Sequence, residues 1–158
     1  MFDRYKLLIL QIVLSFSFMI ITSRPAHAEH GFGIRAGGSA EPNQFYFGGH
    51  FDVAEVAKQF WFRPNLEIGY GDNLTVVAIN GEFVYRVPLR GKTWETYFGA
   101  GPGAVISTLH EDTTNYKSDA GVGFNFLIGL WKPKGFLTEV KFGLGDSPAF
   151  KVAVGWSW

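Results

Sequence analysis

The chain has 158 residues, with 14 Lys and Arg against 14 Asp and Glu, no Cys, 20 Gly and 16 Phe. The length implies one domain. The charge balance excludes a bulk attraction to nucleic acid, and the lack of Cys excludes both a disulfide framework and a lipid-modified cysteine anchor.

The N-terminus reads as a secretory signal peptide over residues 1–28. Arg4 and Lys6 form a charged start, Leu7 to Ile21 an apolar stretch, and Ala26-His27-Ala28 a small-x-small cleavage site at Ala26 and Ala28. The apolar run is about 15 residues, whereas a spanning helix needs roughly 20, so an anchor helix is the weaker reading. Removing 28 residues leaves a domain over 29–158, 130 residues long, with 11 basic and 13 acidic side chains. No later stretch is apolar enough for a spanning helix. An exported chain this short, without cross-links, needs some other source of stability.

From residue 31 onward the chain divides into eight alternating segments separated by turn signals. They run near 31–37, 44–53, 60–70, 74–87, 94–105, 119–131, 136–144 and 150–158. One phase is apolar: Phe45, Phe47 and Phe51 in the second segment, for example, and Val122, Phe124, Phe126, Ile128 and Leu130 in the sixth. Residues 53–59 have room for one helical turn and no more. The opposite phase carries Arg35, Asp52, Arg63, Glu67, Glu82, Arg86, Glu95, Glu139, Lys141 and Lys151, five of each sign, together with ten glycines.

Alternation alone does not decide which phase faces outward. Glycine on an exposed strand face weakens the strand without gain, whereas inside a narrow barrel it relieves crowding. Balanced charges suit an enclosed lumen, and the apolar phase holds too many Phe for the inside of eight strands. The expected fold is therefore all-β: a closed eight-stranded antiparallel up-and-down transmembrane β-barrel, with the apolar phase in lipid and a largely filled polar lumen. A soluble lipocalin-like binding barrel is the inverse arrangement. Pro64 and Pro102 fall inside segments three and five, where bulges or ladder breaks are expected. The ten charges are expected to form an internal ion-pair network, with Glu67 and Glu82 able to reach Arg63 or Arg86 on the adjacent strand.

The last nine residues alternate strictly and end on an aromatic residue. Lys151, Ala153, Trp156 and Trp158 resemble the C-terminal assembly signal of bacterial outer-membrane barrels. Tyr97-Phe98-Gly99-Ala100-Gly101-Pro102-Gly103 is similar to the Gly-rich strand of the small eight-stranded outer-membrane barrels, the group of the outer-membrane protein A membrane domain and the opacity proteins. The Pro within that strand and the shorter loops depart from the group. The resemblance implies a monomer in the outer membrane of a Gram-negative bacterium, both termini periplasmic. Its implied partners are outer-membrane lipids and, through the C-terminal strand, the barrel-assembly machinery.

On that orientation the connections near 38–43, 71–73, 107–118 and 145–149 face outward. They carry Glu41, Asp72, Glu111, Asp112 and Asp146 against Lys117. The inner connections carry Lys58, Arg90, Lys92, Lys132 and Lys134 against Glu55. Ordinary solvated loops explain this asymmetry; an acidic rim holding divalent cations against lipid headgroups is a sharper reading. Gly69-Tyr70-Gly71-Asp72-Asn73 and Gly143-Leu144-Gly145-Asp146-Ser147 read as tight hairpin tips. Trp94, Tyr85, Tyr70, Trp156 and Trp158 lie near strand ends and suit interfacial girdles. His50 and Asp52 share the inward phase of the second segment and read as members of the lumen network, and Ser107 and His110 fall in the longest outer connection. No catalytic constellation, metal-ligand spacing or cofactor motif emerges. The expected role is non-enzymatic, in envelope structure or surface contact; the alternatives are a small-solute or ion pore and a lipid-modifying enzyme.

Overall fold

The computed structural model describes residues 31–91, 93–112 and 115–158. The expected signal peptide with its cleavage site at Ala26 and Ala28, Lys92, and the side chains of Glu111 and Asp112 lie outside the described residues. The strands are β1 (Gly31–Ala40), β2 (Gln44–Asp52), β3 (Ala54–Ala57), β4 (Phe60–Gly71), β5 (Leu74–Pro88), β6 (Glu95–Asp112), β7 (Asn115–Trp131), β8 (Phe136–Gly145) and β9 (Phe150–Ser157). β2 and β3 are two parts of one stave, both paired with β4. Every stave is antiparallel to its chain neighbours, and β9 pairs with β1, so eight staves close into an up-and-down barrel.

The register fixes the barrel's geometry. The partners of Ser157 run through Gly33, His50, Asn65, Asn80, Gly103, Gly123 and Gly145. Continuing the β8–β9 register returns the path to β9 level with position 147, so the shear is ten residues. Eight strands with that stagger are tilted by about 40° to the barrel axis, and the inside is only wide enough for side chains to fill.

The polarity is the reverse of a soluble barrel. Phe45, Ile79 and Leu144 are 61%, 62% and 59% exposed, whereas Arg35, Glu82 and Lys141 are 3%, 0% and 0% exposed. A continuous apolar band around a closed barrel is the form in which strands can cross hydrocarbon, because no backbone edge is left unpaired there. The lipocalin-like alternative, with apolar residues inside, is overturned by this burial pattern. Trp94, Tyr85, Trp156 and Trp158 are exposed at the rim where the chain ends, and Tyr70 is exposed at the other.

Both prolines sit at ladder interruptions. The β2–β4 register ends at His50↔Asn65 and resumes, slipped by one residue, at Ala54↔Phe62, which places a bulge beside Pro64. Between β5 and β6 no pairing is made from Asn80↔Gly103 to Phe83↔Ala100, the stretch that holds Pro102.

Three local expectations are corrected. Residues 54–57 form strand β3 rather than a helical turn, because the bulge lets the stave continue past Val53, whose N–H donates to Phe62 O at 3.1 Å. The connection expected over 107–118 is mostly strand. β6 runs to Asp112 and β7 starts at Asn115, so this is a hairpin rising beyond its neighbours. Apart from Leu109 its described residues are polar on both faces, as with Thr108 bonded to Ser118 at 3.0 Å, so hydrophobic alternation gave no strand signal there. The two Gly-Asp tips also differ. Asp72 and Asn73 both have φ near +50° (49° and 54°), a type I′ turn as expected. Residues 146–149, by contrast, fold inward over the lumen, burying Ser147 and Pro148.

Candidate functional site

Among the described residues the lumen is where chemistry-bearing side chains are gathered, and strand alternation puts them there. Odd-numbered residues of β1, β4, β6, β7, β8 and β9 and even-numbered residues of β2 and β5 point inward. The contents form three levels along the axis.

At the rim where the chain ends, the Arg86 guanidinium lies between two indoles, 4.6 Å from the Trp61 ring and 4.0 Å from the Trp131 ring. Asp52 faces two arginines, with Oδ1 2.9 Å from Arg63 Nε and Oδ2 2.6 Å from Arg86 Nη2. Arg63 in turn lies 4.9 Å over the Tyr97 ring. Val84, Tyr97, Leu127, Trp131 and Leu137 pack into a buried cluster around these groups.

The middle level is charged. Glu67 receives Arg35 (2.7 Å), Lys141 (2.8 Å) and Lys151 (2.7 Å). Glu139 receives Arg35 at 2.6 Å and Tyr97 Oη at 3.0 Å, with Lys141 3.5 Å away. Lys141 also donates to Glu82. Beside this cluster an amide chain crosses the barrel: Asn80 Nδ2 donates to Asn65 Oδ1 at 2.8 Å, and Asn125 Nδ2 donates to Asn80 Oδ1 at 3.0 Å.

The third level is apolar. Val76, Ala78 and Val105 are buried together with Leu74 against them, and Pro148 of the 146–149 connection lies beside Val76 and Ala78. A small, partly open pocket of about 10 Å³, lined by Gln44, Tyr46, Glu67, Val76, Pro148 and Lys151, lies at the same level. That is the room of about one water molecule.

Nine of the ten inward charges expected from the sequence are buried here: Arg35, Asp52, Arg63, Glu67, Glu82, Arg86, Glu139, Lys141 and Lys151. Glu95 is not among them. It sits half-buried at the mouth, opposite Pro88 on the neighbouring strand. The pairing also differs from the adjacent-strand expectation. Arg63 and Glu82 are direct register partners, yet Arg63 turns to Asp52 and Glu82 reaches across the lumen to Lys141. In a narrow, steeply staggered barrel, long side chains meet across the bore as readily as along the wall.

His50 is 1% exposed, and neither ring nitrogen has a hydrogen-bond partner among the described residues. Its ring lies over Gly33, where an added Cβ would fall 2.3 Å from it. Asp52 is occupied by the two arginines, so it does not orient His50 as a base. Ser107 and His110 fall on opposite faces of β6 and do not converge. Asp72 and Asp146 each accept a backbone N–H, from Asn43 at 2.8 Å and from Val122 at 2.9 Å, and so act as turn acceptors. Sequence reasoning missed Trp61, Tyr97, Trp131 and the three asparagines as lumen partners. All six stand in the charged phase, and their parity was the available signal.

Comparison with protein-family models and with curated proteins finds no match. Solved structures do resemble it. The N-terminal β-barrel domain of Pseudomonas aeruginosa OprF aligns with a TM-score of 0.58 at 12% identity, over 81% of this chain and 97% of that one. Neisserial surface protein A gives 0.56 at 8% identity, over 81% and 91%. A de novo designed transmembrane β-barrel gives 0.52 at 16% identity, over 86% and 97%. At these identities the likeness concerns the fold, and a designed barrel among them underlines that the architecture alone carries no activity. With eight closed staves, an apolar outer band and a charged, filled bore, the chain has the fold of the small eight-stranded transmembrane β-barrels.

Proposed function

We propose that the protein is a non-enzymatic outer-membrane barrel whose bore is closed to solutes and which acts through its surface. Its role is then envelope structure, or contact made by the β6–β7 hairpin. The observation that carries this reading is the filling of the lumen. A Trp-Arg-Trp stack stands at one end, ion pairs in the middle and an apolar layer beside Pro148 at the other. With the interior occupied, the outer hairpin and the lipid-facing wall are the parts left to meet other molecules. The named likenesses to a neisserial surface protein and to a designed transmembrane barrel support the location.

The test is export in a Gram-negative host with an epitope inserted between Asp112 and Asn115. The epitope is expected to be reached by antibody on intact cells, the C-terminus to be reached only after permeabilisation, and the processed protein to begin at Glu29. An epitope accessible only from the periplasm, or protein recovered in the soluble fraction, would refute the reading.

A further inference from the structure

The rim where the chain ends is basic. Each of its three connections places cations at exposed positions: Lys58 between β3 and β4, Arg90 between β5 and β6, and Lys132 and Lys134 between β7 and β8. The acids of this rim, Glu55 and Glu95, are only half-exposed, and Glu55 accepts the Gln59 N–H at 2.7 Å. The opposite rim is the reverse: Glu41, Asp72, Asp119 and Asp146 are exposed against Lys117.

The cations also stand at a defined depth. Leu89, next to Arg90, is 39% exposed, and Trp94 packs edge-on against Phe136 at 6.4 Å between the two basic connections. Trp158 stacks on Phe32 at 5.6 Å on the same rim. Aromatic residues of this kind lie at the boundary between hydrocarbon and headgroups, and long basic side chains beside them reach outward to phosphates. The basic connections are short and project little beyond this belt. They are spaced two staves apart, at three of the four seams of this rim, so they form a broad arc rather than one concave patch. Such an arc matches many small anions better than one folded partner.

We propose that this rim is a docking surface for the headgroup phosphates of anionic phospholipids in the leaflet it meets. The proposal rests on the membrane-spanning reading and adds to it a lipid preference. Its test uses the protein purified from membranes, presented with equal amounts of phosphatidylglycerol and phosphatidylcholine of the same chain length. Retained lipid is counted by native mass spectrometry. Phosphatidylglycerol is expected to be favoured roughly tenfold at low salt and to approach parity at high salt, since each surface cation contributes and salt screens it. The variant carrying Lys58→Gln, Arg90→Gln, Lys132→Gln and Lys134→Gln is expected to lose the preference while keeping heat-modifiable gel migration. The milder pair Lys132→Gln with Lys134→Gln should lose part of it. Equal retention of both lipids by the natural protein, an unchanged preference in the variants, or tighter retention of polyglutamate than of phosphatidylglycerol would overturn the proposal. Uptake of neither lipid by a protein that stays soluble without detergent would overturn it together with the membrane-spanning reading.

Discussion

Glu67 accepts from three cations within 2.8 Å, on β1, β8 and β9, and so ties three staves to β4. Removing one partner of a buried ion pair leaves an uncompensated charge, which costs about 3–5 kcal/mol. Glu67→Ala is accordingly expected to lower unfolding stability in urea by that order, whereas Glu95→Gln at the mouth should stay within about 0.5 kcal/mol. Equal effects from the two would contradict the division between buried network and rim. Gly129 makes a steric counterpart. A Cβ there would stand 2.3 Å from Tyr97 Cζ and 2.4 Å from the backbone oxygen of Thr138. Gly129→Ala should therefore destabilise by about 1–3 kcal/mol, although alanine is ordinarily acceptable in a strand. Nine of the ten charges could be placed in the bore from parity alone, since Arg35 and Lys141 share their phase with glycines; Glu95 has the right parity but lies at the mouth. Their pairing could not. It depends on the ten-residue shear and on rotamers, which is why Arg63 meets Asp52 rather than its register partner Glu82.

Strand β9 closes the barrel, with a ladder to β8 on one side and to β1 on the other. The Trp158 N–H donates to Phe32 O at 2.8 Å, and the two rings stack. Deleting residues 150–158 opens both edges, so the heat-resistant compact form should be absent after refolding in detergent. Trp158→Ala removes one aromatic pair, worth about 0.5–1.5 kcal/mol beyond its burial, and should still refold in detergent. If the C-terminal strand is also read by the assembly machinery, the same variant should accumulate poorly in cells. Normal accumulation would leave Trp158 a structural role only. β9 was legible because its apolar phase is unbroken from Phe150 to Trp158. The outer half of the β6–β7 hairpin was not, because strands above the hydrocarbon no longer need an apolar face and Thr108 and Ser118 read as loop. β3 was hidden by the bulge at Val53, which shifts the alternation by one residue.

At the scale of the molecule, eight alternating segments, inward glycines and balanced charges were enough to derive a closed barrel with lipid outside. What alternation could not supply was how the bore is filled. That comes from side chains meeting across it, in the Arg86 stack between Trp61 and Trp131 and in Pro148 folded in beside Val76 and Ala78. On the proposed reading this interior is sealed to solutes. Single-channel recording of the purified protein in planar bilayers tests it most directly. The filled lumen predicts no steady conductance from the natural protein, with brief openings at most from Glu67→Ala. Long-lived, uniform channels from the natural protein would show a continuous path through the bore and contradict the claim.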